Sequence, residues 1–264
     1  MQILEVNTMA YVIAVAGKGG VGKTTLTGLL IQMMTRDHKK PILAVDADAN
    51  SNLNEVLGVP APETLGEVRE EIEEAGNIQN SAIPGGMSKA DYLNMRMMDT
   101  LEETDDFDLM VMGRSQGKGC YCFVNGLLQT QIQKLQGSYP YIVVDNEAGM
   151  EHISRGILPT MDALILVSDC SRRGIQAAGR IKDLAAEVKM HPSKMGLIVN
   201  RAPKGILDPG TKEEIKKQGL DLWAVVPADD TVYQFDCDGT PIVNLPDDSP
   251  VRGAMESVFD QLAL

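Results

Sequence analysis

The segment YVIAVAGKGGVGKTT, residues 11 to 25, constrains this 264-residue chain more than any other. Six apolar residues run straight into a loop containing Gly17, Gly19, Gly20 and Gly22, and the loop runs straight into Lys23-Thr24-Thr25. Strand, glycine-rich turn and helix start, in that order, match the phosphate loop G-x-x-x-x-G-K-[ST]. Glycine lets the backbone curl until its N–H groups point at phosphate oxygens. The helix that follows adds the positive end of its dipole. Gly19, Gly20, Val21, Gly22 and Thr25 are therefore expected to wrap the phosphates of ATP, Lys23 to reach the β- and γ-phosphates, and Thr24 to give its hydroxyl to Mg²⁺. The same glycines also fit G-x-G-x-x-G, which in a dinucleotide fold needs an acidic residue after the second strand, and Asp46 and Asp48 stand there. That lone pattern is the weaker reading, because a Lys-Thr after the last glycine has no use in a dinucleotide site.

Further apolar runs follow at 41–46, 108–113, 141–146, 163–168, 195–200 and 222–227. They do not alternate with polar residues, so both faces of each should be covered, which is the mark of a parallel sheet between helix layers. Stretches such as 23–37, 123–136, 172–190 and 249–263 carry helix-spaced apolar residues. The expected fold is α/β, a doubly wound, mostly parallel sheet flanked by helices, in a single P-loop NTPase domain over 1–264. Residues 1–8 read as a tag, an alternative start or a short tail, and the acidic segment 60–107 reads as an insertion decorating the sheet.

A formal charge of −13 makes nucleic acid and anionic membranes poor partners. No apolar run is long enough to span a membrane, and the first residues lack the basic start of a secretion signal. A cytoplasmic location is the expectation. The four cysteines, Cys120, Cys122, Cys170 and Cys237, do not make a disulfide framework.

Lys18 lies inside the loop, and KGGVGKTT resembles the deviant Walker A loop of the MinD-like ATPases. The resemblance implies a homodimer in which Lys18 crosses to the partner's phosphates, with the logic of an arginine finger. It also implies that Asp46-Ala47-Asp48 is the first switch. Residues two apart on an extended segment share a face, so both carboxylates can approach the phosphates. Asp48 is assigned to the attacking water and Asp46 to the magnesium shell, with helix capping by Asp48 or Asn50 as the alternative. Four residues, Tyr141-Ile142-Val143-Val144, precede Asp145 in the Walker B form, so Asp145 should hold a magnesium-bound water. Related ATPases often carry a small residue and Pro next, where this chain has Asn146-Glu147. Asn200-Arg201 ends a run, and an Asn amide offers adenine a donor and an acceptor, though Asn is also common in turns. Pro227-Ala228-Asp229 resembles the family's adenine-flanking loop.

Gly119-Cys120-Tyr121-Cys122 is the least generic feature. Two thiolates in C-x-C suit Ni²⁺ or Zn²⁺, and two such pairs meeting on a two-fold axis would complete a four-sulfur site. The bland alternative is a pair of small buried side chains. Together with Gly85-Gly86-Met87-Ser88-Lys89, Met112-Gly113-Arg114 and Phe123-Val124-Asn125, the pair resembles the nickel-insertion ATPases of carbon monoxide dehydrogenase, the CooC type and its acetyl-CoA synthase counterpart AcsF, from Met9 onward. That resemblance implies one metal held between subunits by Cys120 and Cys122, and carbon monoxide dehydrogenase or acetyl-CoA synthase as the client. The lead-in Ser115-Gln116-Gly117-Lys118 departs from the expected Pro-Glu-Gly-Pro-like stretch. Rival readings are a MinD/ParA-like dimerisation switch, which the acidic C-terminus disfavours, and an iron–sulfur carrier ATPase. The clustered methionines and the scattered His38, His152 and His191 show no ligand spacing.

Overall fold

The computed structural model describes residues 9–77, 87–114, 121–149 and 160–264. Eight strands form one sheet: β1 (Tyr11–Gly17), β2 (Ile42–Ala47), β3 (Glu102–Glu103), β4 (Phe107–Val111), β5 (Tyr141–Asn146), β6 (Ala163–Ser168), β7 (Lys194–Ala202) and β8 (Leu222–Pro227). Their order is β3-β4-β2-β5-β1-β6-β7-β8, and only β3 with β4 is antiparallel. Each of the seven apolar runs is a strand of this sheet. The edge strand β3 consists of two glutamates, too short and too polar to leave a periodic signal.

The helices described are α1 (Lys23–Arg36), α2 (Leu53–Leu57), α3 (Leu65–Asn77), α4 (Lys89–Met98), α5 (Tyr121–Leu135), α6 (Arg172–Glu187), α7 (Pro209–Lys217), α8 (Asp230–Asp238) and α9 (Pro250–Leu262). Several starts are written locally. Ser171, Asp208 and Ser249 each accept a backbone N–H of the first turn, and Pro209 and Pro250 stand where a helix wastes no N–H.

The strands divide two cores between them. Val12, Ala14, Ala16, Ile142 and Val144 pack under α5 and α6, with Val124, Leu128, Ile175 and Ile181. Ile13, Val15 and Val143 pack under α1 and α9, with Leu29, Leu30, Val251 and Met255. Because side chains alternate along a strand, this parity decides which helix each functional residue meets. Segment 60–107, expected to be an insertion, carries α3, α4 and β3 among the described residues. Arg96 ties its helices by donating to Glu63 and Glu71 at 2.7 Å each, and the Tyr92 hydroxyl donates to Glu71 at 2.8 Å. No helix is long and apolar enough to cross a membrane among the described residues.

Candidate functional site

The loop after central strand β1 opens on the carboxyl edge of the sheet, where open α/β sheets bind ligands. Gly22 caps α1 with φ 90°, and a Cβ there would stand 2.4 Å from Asn200 Nδ2, so only glycine fits. Asn200 Nδ2 donates to the Val21 carbonyl at 2.8 Å, and the Arg201 guanidinium donates to the Gly20 carbonyl at 3.2 Å. Both straps occupy carbonyls and leave the loop's amides to face the site. No acidic residue stands in the first turn of α1, so nothing there opposes an anion. Lys23 is buried at the helix start, Thr24 and Thr25 are half-buried beside it, and Lys18, Gly19 and Gly20 are exposed.

Asp46 and Asp145 are register partners on β2 and β5, on the strand face that packs against α1. Burial pushes Asp145 up to about 7; the Asp46 and Asp48 charges push the same way, against the Thr24 hydroxyl and the Lys23 ammonium. The Thr27 hydroxyl, which donates to the Lys23 carbonyl at 2.9 Å, also lies 3.4 Å from Asp145 Oδ1. Two buried carboxylates side by side, with the Thr24 hydroxyl and a single lysine for company, fit a divalent cation at this position. The Asp46 carboxylate has a second occupation, accepting the backbone N–H groups of Asp48, Asn52 and Leu53 at 3.0, 2.9 and 2.9 Å. It thus organises the whole loop after β2, and burial raises its pKa as well. Asp48 is half-exposed and accepts from the backbone N–H of Asn50 at 2.8 Å. Asn146 donates to the Val15 carbonyl at 2.9 Å, while its Oδ1 is buried without a partner.

A cavity of about 330 Å³ adjoins the loop, lined by Thr25, Asn200, Arg201, Pro227, Ala228 and Asp229, among others. The structure thus brings every residue expected at the base into one hollow. Asn200 has one N–H spent on Val21, and its Oδ1 accepts the Arg201 N–H at 2.9 Å, which leaves one donor and one lone pair. The Asp229 carboxylate caps α8 through Thr231 and Val232. Tyr233, 69% exposed at the same cavity, was not marked by sequence reasoning; its signal is a large aromatic one turn into a helix that follows a site loop. Thr27, equally unmarked, has no motif position.

A larger cavity, about 540 Å³, lies on the other flank of the loop, between Lys18, Ala148, Gly149 and α6 residues Arg173, Gln176 and Arg180. Cys120 lies outside the described residues, and Cys122 falls in the first turn of α5. Cys170 is half-buried with its thiol pKa raised by burial, and Cys237 is exposed. No cluster of three or more His, Cys, Asp or Glu groups suited to a metal occurs among the described residues.

Residues 12–242 match the model of the CobQ/CobB/MinD/ParA nucleotide binding domain. An uncharacterised ATP-binding protein of Methanocaldococcus jannaschii is 39% identical over 255 residues, covering 95% of this chain and 98% of that protein. The carbon monoxide dehydrogenase accessory protein CooC of Rhodospirillum rubrum is 30% identical over 209 residues, covering 72% and 79% of the two chains. Among solved structures, the septum site-determining protein MinD of Pyrococcus horikoshii, complexed with Mg-ADP, superposes with a TM-score of 0.69 at 22% identity over 97% and 98% of the two chains, a likeness of fold. With a strand-loop-helix phosphate cradle, paired carboxylates on neighbouring strands and a family match over most of its length, this chain belongs to the CobQ/CobB/MinD/ParA nucleotide-binding-domain family.

Proposed function

We propose that this protein hydrolyses Mg·ATP as a homodimer and uses the cycle to deliver nickel to a metallocluster enzyme, carbon monoxide dehydrogenase or acetyl-CoA synthase. The observation that carries the ATPase half is the buried pair Asp46 and Asp145 in register beside Lys23, at the foot of a phosphate loop. The nickel half rests on Cys120-Tyr121-Cys122 together with the 30% identity to CooC.

Gly19, Gly20, Val21, Gly22 and Thr25 present backbone N–H groups to the phosphates, and Lys23 neutralises the β- and γ-oxygens. Thr24, Asp46 and Asp145 would hold magnesium, and Asp46 also keeps the adjoining loop in place. Magnesium, when bound, would supply neutralisation of the negative charge on the phosphates. Asp48 orients the attacking water. Asn200, Arg201 and the Pro227-Ala228-Asp229 segment flank the adenine. Lys18 reaches the opposite protomer's phosphates, which gives ATP a higher affinity for the closed pair and so drives closure. Closure brings two C-x-C pairs together around one metal ion.

Equilibrium binding of Ni²⁺ and Zn²⁺ under reducing conditions, with and without nucleotide, tests the nickel half. The expected result is one metal per two chains, altered by nucleotide and abolished in Cys120→Ser/Cys122→Ser. Binding that persists in the double variant, or is absent from the wild type in every nucleotide state, would overturn nickel delivery and leave an ATP-dependent dimerisation switch.

A further inference from the structure

The carboxyl ends of β2 and β4 lie side by side, with the Met112 N–H donating to the Asp46 carbonyl at 2.8 Å. At Gly113 the chain turns with φ 65°, and a Cβ there would stand 2.3 Å from the Thr64 side chain, so the turn requires glycine. The turn delivers Arg114 to the loop that follows β2. Its guanidinium Nη2 donates to Asn50 Oδ1. Asn50 in turn donates to Asp48 Oδ1, from its backbone N at 2.8 Å and from Nδ2 at 3.2 Å. Three side chains thus form a directional series that ends on a carboxylate. With its oxygen taken by a cation, the Asn50 amide keeps its N–H side toward Asp48, and the cation polarises that N–H further.

The rest of the loop is held by different contacts. Asp46 anchors the backbone at Asp48, Asn52 and Leu53, and Ser51 N–H donates to the Asp48 carbonyl at 3.2 Å. Those bonds fix the path of the chain, whereas the direction of the Asp48 carboxylate depends on Asn50. Both Asn50 and Arg114 are exposed, so their bonds add little to folding stability.

The geometry points to Asn50 and Arg114 as positioning residues for ATP hydrolysis, with Arg114 orienting the Asn50 amide and Asn50 aiming the Asp48 carboxylate at the attacking water. This rests on the reading of Asp48 given above. Misaiming a carboxylate by a fraction of an ångström slows a step that depends on positioning without weakening nucleotide binding.

Steady-state hydrolysis of Mg·ATP by the full chain tests the relay, using Asp48→Asn, Asn50→Ala, Arg114→Ala, Arg114→Lys and the Asn50→Ala/Arg114→Ala double variant. Arg114→Ala and Asn50→Ala should each lower kcat about 5- to 20-fold with KM within about twofold. The double variant should be no slower than Asn50→Ala alone, Arg114→Lys should recover part of the rate, and Tm should move by no more than about 2 °C. A slow Asp48→Asn beside an Arg114→Ala at wild-type rate would overturn the relay, as would single effects that multiply in the double variant. A wild-type rate in Asp48→Asn would instead remove the water-orienting reading on which the relay depends.

Discussion

Asp145 has the buried Asp46 carboxylate as its partner on the adjoining strand and Lys23 as the nearby cation, and without magnesium its folded-state pKa lies at about 7 against an ordinary 3.8. A raised carboxylate pKa means the fold prefers the neutral acid. The stability from this group is complete below about pH 4 and is lost as pH climbs through about 7. Asp145→Asn keeps the shape and removes the charge, so it should stabilise the metal-free protein at pH 8 by on the order of 2 to 4 kcal/mol and flatten that part of the pH profile. Urea unfolding at pH 5 and pH 8 measures it, with hydrolysis assayed in parallel and expected to be lost. An Asn variant less stable than wild type at pH 8 would contradict the burial argument. Asp145 was legible from the apolar run ahead of it. Thr27, which approaches it from α1, was not, because no motif reaches four residues past the loop lysine. The three-amide occupation of Asp46 was equally invisible, since it depends on how the chain returns at Asn52 and Leu53.

Helix α1 joins the phosphate loop to the sheet, and its Leu26, Leu29, Leu30, Ile31 and Met34 are buried against β1, β2 and β5. Leu29 has no exposed surface. Leu29→Ala should cost about 2 to 5 kcal/mol through lost burial and the cavity left behind. Chemical denaturation reads this directly, and a loss below about 1 kcal/mol would show that α1 is not tightly packed. Elements with both faces covered were readable as unbroken apolar runs, and the long helices as spaced ones. The interior of segment 60–107 was not. There α4 carries three methionines, and its tie to α3 is a set of charges around Arg96 that no periodicity announces.

Across the whole molecule a −13 chain gathers Lys18, Arg173 and Arg180 around one cavity of about 540 Å³ on the flank of the loop. None of the three forms an ion pair or hydrogen bond among the described residues, so the flank is locally cationic in an acidic protein. That local sign favours approach of an anion such as a second protomer's nucleotide. In the proposed cycle Lys18→Ala therefore keeps ATP binding, slows hydrolysis about 100-fold or more and stays monomeric. Sedimentation velocity with a non-hydrolysable ATP analogue measures the change in oligomeric state. A Lys18→Ala chain that dimerises as the wild type does would leave the trans role without support.

Sequence alone determined the fold class, the phosphate loop and the carboxylates at the ends of β2 and β5, because each is local: a run of apolar residues, a glycine pattern, an acid at a strand end. Tertiary structure decided which of these meet. The strand order β4-β2-β5-β1 brings four loops to one edge, and the pleat sets Asp46 and Asp145 on the face of α1. Asn200 and Arg201, 179 and 181 residues from the carbonyls they strap, reach Val21 and Gly20 through the pairing of β1, β6 and β7. Such contacts depend on crossover order and side-chain parity over long chain separations, and a one-dimensional pattern carries neither.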